Sequence, residues 1–315
     1  YHLEQCLKMA IEQDQFRVVG AIYSNRIMYS LDLFQTKQVA ELIAQAKSYL
    51  IEHDLDFSLA MTQAWEAMLH LYQGRWSDCE AIANSVLQQS TAPIARIPAL
   101  VAQARANARQ GKTEAAQALL AESWALSKKV DNQQRIGIYY CAAAEAAWLT
   151  NDRTRVQSLI AEYYETAVKN KLVGFAAELA YWRWQLGESV EPYEWMVEPF
   201  VLEIQGDWQA AANAWDALGC PYEQARALAN GDVEAQKSAL LIFEQLNAQP
   251  MIATVRQKLK EAGVQTIPRG PRATTRENPF NLTNRQLQIL QLLTENLTNA
   301  EIAARLYISP KTVDH

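Results

Sequence analysis

Along residues 1–262 apolar side chains return every three or four positions, in long runs rich in Ala, Leu, Gln and Glu, and strand-like alternation is almost absent. A period near 3.6 predicts amphipathic helices, so the fold class expected is all-α. Turn-like breaks recur at Gln35-Thr36, Gly74, Gly111, Asn151 and Gly187, 36 to 40 residues apart. Around each, an apolar helix leads through a short Gly or Asn turn with a polar or basic residue into a second helix, as in Leu69 to Trp76 and Ala147 to Arg153. A helix pair cannot bury its apolar face alone, so repeated pairs are expected to stack.

From Leu282 the pattern shortens. Thr283 with Gln286, and Thr298 with Glu301, are two capping boxes in which the threonine accepts an orphaned amide and the Gln or Glu reaches back. Two short helices are therefore expected to begin near 283 and 298. Leu287, Leu290 and Leu293, with Ile289 beside them, give the first an apolar face, and Ile302, Ala303 and Leu306 give the second one. Asn296 between them suits a left-handed helix terminus. Ser309-Pro310 then supplies an N-cap and an N1 proline, starting a third helix at Lys311.

A helix, a tight turn and a second helix entered at its N-terminus is the spacing of a DNA-reading helix-turn-helix. On that geometry Val313 faces inward onto Ile302 and Leu306, within a core that also takes Leu290 and Ala303. Asp314 and His315 point toward base edges, and Lys311, Thr312 and the helix starts around Thr298, Asn299 and Ser309 meet phosphates. The plainer alternative is an ordinary pair of capped helices.

The residues Leu282-Thr283-x-Arg285, Ile289-Leu290, Leu292-Leu293, Asn299-Ala300-Glu301-Ile302-Ala303, Leu306, Ile308-Ser309-Pro310-Lys311-Thr312-Val313 and His315 resemble the C-terminal helix-turn-helix of LuxR-type regulators. Gln286 and Gln288 stand where that family commonly carries Glu, and Asn296 where it carries Gly. The resemblance implies double-stranded operator DNA as a partner, RNA polymerase as a further one, and a homo-oligomer. It also implies that the recognition helix runs about two more turns and that a dimerising helix follows. On that expectation the chain is a fragment, cut within the helix-turn-helix, and a half-built module is expected to bind DNA poorly.

Residues 1–262 form the expected sensor and oligomerisation domain, a helical-pair solenoid resembling tetratricopeptide repeats. Residues 263–281 form a linker in which three prolines, a glycine and three arginines between Pro268 and Pro279 prevent a regular helix. Residues 282–315 form the DNA-binding domain. The stretch from Gly206-Asp207-Trp208 through Pro268-Arg269-Gly270-Pro271-Arg272 is also similar to what precedes the helix-turn-helix in large ATP-binding, MalT-like LuxR regulators. That likeness implies an ATP-binding domain before Tyr1, no cofactor in the residues present, and a small-molecule or protein inducer on the solenoid.

Composition narrows the reading. Residues 264–315 carry a net charge of +2, which leaves −8 on residues 1–263, so nucleic acid is expected at the C-terminal end. Cys6, Cys79, Cys141 and Cys220 lie far apart with no CxxC, which argues against zinc and a disulfide framework and fits a reducing cytoplasm. No stretch suits a membrane span, so the chain is expected to be soluble. Ala106 to Thr113 fits a loosened phosphate-loop pattern, but it continues an Ala-rich helix where a strand is required. His2, His53, His70 and His315 are scattered, GxSxG and HExxH are missing, and the acidic residues mostly read as solvated helix faces, so no catalysis and no metal are expected. Of Trp182 and Trp184, two apart on one helix, one is expected in the core. Most other aromatics are expected to fill packing between repeats. The alternatives are a protein-docking scaffold that does not bind DNA, and an ATPase switch whose chemistry lies upstream.

Overall fold

The computed structural model describes residues 2–130, 132–267, 282, 284–295 and 297–314, and these contain helices and no strand. The chain divides into two compact units, residues 1–267 and 268–315. The expected linker falls mostly at 268–281, outside the described residues, as do Thr283, Asn296 and His315.

The first unit opens with α1 (His2–Glu12) and continues as pairs: α2 (Phe16–Asp32) with α3 (Thr36–Glu52), α4 (Asp56–Tyr72) with α5 (Trp76–Gln89), α6 (Pro93–Arg109) with α7 (Thr113–Val130), and α8 (Gln133–Leu149) with α9 (Arg153–Lys169). α10 (Val173–Gln185) begins a fifth pair that breaks off. Within each pair the helices pack together, and α2, α4, α6, α8 and α10 also pack on one another in sequence, making an inner row. α10 returns to touch α2.

Left-handed residues close the first helix of each pair: Phe34 (φ 57°), Gly74 (φ 73°), Gly111 (φ 79°), Asn151 (φ 60°) and Gly187 (φ 89°). Four of these are the Gly and Asn breaks that the sequence marks. At the first, the left-handed residue is Phe34 rather than Gln35 or Thr36. A β-carbon crowds that backbone, and packing holds it in place: the ring lies 4.6 Å from Tyr72 and 5.0 Å from Trp215, centroid to centroid. Gly74 has a separate demand, because a β-carbon there would come within 2.5 Å of Leu246 Cδ2.

After α10 the chain runs irregularly to α11 (Glu198–Ile204), which has Pro199 in its first turn, and then through α12 (Trp208–Ala217), α13 (Pro221–Leu228), α14 (Val233–Leu246) and α15 (Gln249–Glu261). This segment crosses the turn ends of the earlier pairs. Thr36 Oγ1 donates to the Leu218 carbonyl. Gly74 faces Leu246 and Pro221, and Gly111 faces Gln249 and Pro250. The C-terminal ends of α2, α4 and α6 are thereby covered.

α6 is buried almost all round, with unbroken burial from Ile97 to Arg109. A helix without a solvent face is normally apolar, yet this one carries two arginines one turn apart. Arg105 pairs with Glu145 of α8 and Glu178 of α10, each at 2.6 Å, and Arg109 pairs with Glu145 at 2.8 Å and Glu223 of α13 at 2.6 Å. Arg226 holds Glu203 at 2.6 Å, and Glu203 also accepts from Trp215 Nε1. The expectation that acidic residues mostly lie on solvated faces therefore fails for Glu145, Glu178, Glu203 and Glu223, all buried. Burial of an ion costs several kcal/mol unless it is paired, and here each carboxylate meets a guanidinium. The two arginines pull the Glu145 carboxyl down to about 2, whereas burial wins at Glu203 and raises it.

Arg109 also settles the phosphate-loop octet. Its guanidinium is sealed in the core over the Tyr222 ring, 3.8 Å from the centroid, and the octet is a helix end and turn. Trp182 is core and Trp184 is partly exposed. Cys79, Cys141 and Cys220 are buried and Cys6 is exposed, all as free thiols. Among the described residues no His, Cys, Asp and Glu cluster could hold a metal ion, and no helix is long and apolar enough to cross a membrane.

Candidate nucleic-acid interface

The second unit contains α16 (Asn284–Thr294), α17 (Asn299–Leu306) and α18 (Pro310–Asp314). Its most regular feature is the start of α17. Thr298 Oγ1 accepts from the Glu301 amide, and Glu301 Oε2 accepts from the Thr298 amide at 2.8 Å and from the Thr298 hydroxyl at 2.7 Å, a complete capping box. Those bonds favour the ionised form, so the Glu301 carboxyl lies below its usual range.

α17 ends at Tyr307, which is left-handed (φ 54°) and 95% exposed, and the Ile308 amide reaches back to the Ala303 carbonyl at 3.0 Å. That six-residue closure turns the chain sharply into α18. Ser309 caps α18: its Oγ accepts from the Thr312 amide at 3.2 Å and lies 2.8 Å from Thr312 Oγ1, with Pro310 in the first turn. Asn299 Nδ2 donates to Asp314 Oδ1 at 3.2 Å, tying the start of α17 to the end of α18.

Thr298, Asn299, Ser309, Lys311, Thr312 and Asp314 are all exposed, the first five on the starts of α17 and α18 and Asp314 at the end of α18. The bond between Asn299 and Asp314 engages both side chains with each other, a pairing that spacing alone did not reveal. Thr312 likewise spends its amide within the cap, leaving Lys311 as the exposed cation of α18. The phosphate and base roles expected of these residues follow from this placement only as positions, and His315 lies outside the described residues.

The small core of the module contains Ile302 and Ala303, both buried, with Leu306 and Val313 partly buried. Leu290 departs from expectation: it is 44% exposed, as is Leu293, and Leu292 is the buried leucine of α16. Two positions on a helix are about 200° apart, so burying Leu292 turns Leu290 outward. The inward face of α16 instead runs through Arg285, Ile289 and Leu292. Arg285 Nη2 donates to the Leu306 carbonyl at the end of α17, and Arg305 pairs with Glu295 at 3.1 Å, so two arginines tie the first helix to the second. Nothing local in the sequence marks this role of Arg285, which stands in the first turn of α16 while its carbonyl partner lies 21 residues on.

With this geometry in view, the family comparison is decisive for the segment. Residues 281–315 match the GerE family, bacterial regulatory proteins of the luxR family. The second unit thus carries a luxR-type helix-turn-helix, a module of DNA-binding transcriptional regulators. No curated protein matches the chain.

Proposed function

We propose that the chain acts as a DNA-binding transcriptional regulator in which α18 begins the recognition helix and the helical-pair unit, as a tetratricopeptide-like solenoid, senses a small molecule or a protein. The observation that carries this reading is the luxR-family match over residues 281–315, joined to the capped, exposed starts of α17 and α18. Lys311 and Thr312 would meet phosphates, and Asp314 would lie nearest the base edges. The packed helical pairs ahead of a Pro- and Arg-rich segment support the narrower assignment to the large ATP-binding, MalT-like regulators, and with it a role for oligomers in binding paired half-sites. The reading is regulatory rather than enzymatic.

The test is selection of duplexes from a random pool by the protein, followed by affinity measurement on the enriched sequences. Enrichment of a defined motif supports the proposal. Retention independent of sequence, or of DNA altogether, would overturn it.

A further inference from the structure

Arg135, the third residue of α8, is only 4% exposed and pairs with no carboxylate among the described residues, unlike Arg105, Arg109 and Arg226. Its guanidinium lies over the Trp65 ring, 4.5 Å from the centroid, and donates from Nε to the Ile94 carbonyl at 3.2 Å. That carbonyl is available because Pro98, four residues on within α6, has no N–H to give it. Nη1 finds only the Met28 sulfur at 3.6 Å, a weak acceptor. The head group is therefore held rigidly from behind and left without a counter-ion.

In front of it lies a groove of about 710 Å³, bounded by the N-terminal halves of α2 and α4 and the first turns of α6 and α8. Arg135 lines it, with Ser24 and Ser58 as hydroxyl groups and Met61 and Ile94 as apolar floor. Arg17 and Asp56 stand exposed at its mouth. Burial lowers the Arg135 guanidinium to about 10, and the two carboxylates that line the groove, Asp54 and Asp56, are exposed and form no ion pair with it.

We propose that this groove binds a small organic oxyanion, a carboxylate or phosphate ester, whose charged end forms a bidentate pair with Arg135 and whose body lies on Met61 and Ile94. A planar guanidinium fixed by its Nε is preorganised for that fork, and the volume suits a ligand of metabolite size. The polar mouth accepts a ligand with hydroxyl or amino groups at its far end. This deepens the sensing part of the proposed function and rests on it.

The test titrates the protein with inorganic phosphate and, separately, succinate, against chloride at matched ionic strength, following the melting temperature and the tryptophan fluorescence that Trp65 contributes. A saturable rise in melting temperature with either probe is expected in the wild type. It should be lost in Arg135→Met, which keeps the side-chain volume, and in Ala21→Trp, which fills the groove from its exposed rim and leaves Arg135 in place. No saturable rise above chloride with either probe, or a rise that survives both substitutions, would overturn the site. The readout contains no DNA, so failure here is distinct from failure of the duplex selection.

Discussion

Arg109 Nη2 donates to Glu223 Oε1 at 2.6 Å and so joins α6 to α13 across 114 residues of chain. Both side chains are buried, at 0% and 1% exposure, and the same arginine also holds Glu145 of α8. Glu223→Gln leaves a guanidinium with less negative charge to face. Removing one partner of a buried pair costs about 3–5 kcal/mol, and urea unfolding should show a loss of that order. The double variant Arg109→Met, Glu223→Leu should recover part of it, because an apolar pair carries no desolvation penalty. A single-variant loss below about 0.5 kcal/mol, the range of ordinary surface changes, would mean that the pair does not hold the two segments together.

Asp32, at the end of α2, gives a pH dependence with a definite sign. Burial, and then Glu178 nearby, raise its carboxyl to about 6, against a lowering by the Gly174 amide that donates to Oδ2 at 3.2 Å. A carboxyl raised in the folded state adds stability below its unfolded value near 3.8, and that stability is lost as pH climbs through 6. The window from about pH 4 to pH 6 should therefore show a falling contribution of up to about 3 kcal/mol, at about 1.4 kcal/mol per unit. Asp32→Asn keeps an acceptor for the Gly174 amide and removes the charge. It should unfold at higher denaturant than the wild type at pH 8 and nearly the same at pH 4, below the window. An equal shift at both pH values would show that the carboxyl is not the titrating group.

Gly174 also packs closely against Asp32 beyond that hydrogen bond. A β-carbon there would lie 2.3 Å from the Asp32 carbonyl oxygen, a backbone atom that cannot swing away. Gly174→Ala gains helix propensity within α10 and still should destabilise, since overpacking costs about 1–3 kcal/mol against less than about 1 kcal/mol gained. Thermal unfolding decides the sign, and a stabilised variant would mean that α2 and α10 separate readily.

Much of this was legible because helix pairs leave periodic traces. Gly74, Gly111, Asn151 and Gly187 mark turns where the backbone itself requires a permissive residue, and the capping box at Thr298 and Glu301 is written in adjacent letters. Phe34 as a left-handed residue was illegible, since its conformation is held by Tyr72 and Trp215 from distant segments. The burial of Arg105 and Arg109 was illegible because their partners Glu145, Glu178 and Glu223 are 36 to 114 residues away. Leu290 was misplaced for a different reason: α16 is leucine-rich on both sides, and periodicity alone does not say which stripe faces α17.

The capping box gives a local prediction for the second unit. Thr298→Ala removes the acceptor for the Glu301 amide and the hydroxyl bonded to Glu301 Oε2, and N-cap losses of this kind cost about 1 kcal/mol. Amide hydrogen exchange in the first turn of α17 should quicken several-fold while exchange in α6 stays unchanged. Thr298→Ser should restore the slow rate. Exchange that quickens equally in both helices would point to a global effect instead of a lost cap.

Lys311 tests the DNA reading most directly. It is exposed on α18 and forms no ion pair among the described residues, so its charge is free for a phosphate. One phosphate contact contributes about 0.9 to the slope of log affinity against log salt concentration on duplex DNA. Lys311→Ala should flatten that slope by about one unit and weaken binding to selected and unrelated duplexes alike, because a phosphate contact carries no sequence information. Val313→Asp provides the contrasting failure: a charge placed in the small core with Ile302 should unfold the module and abolish binding with loss of its helical signal. If Lys311→Ala leaves the slope unchanged while the module stays folded, the backbone contact belongs to another cation, and Arg285 and Arg305 are already engaged with Leu306 and Glu295.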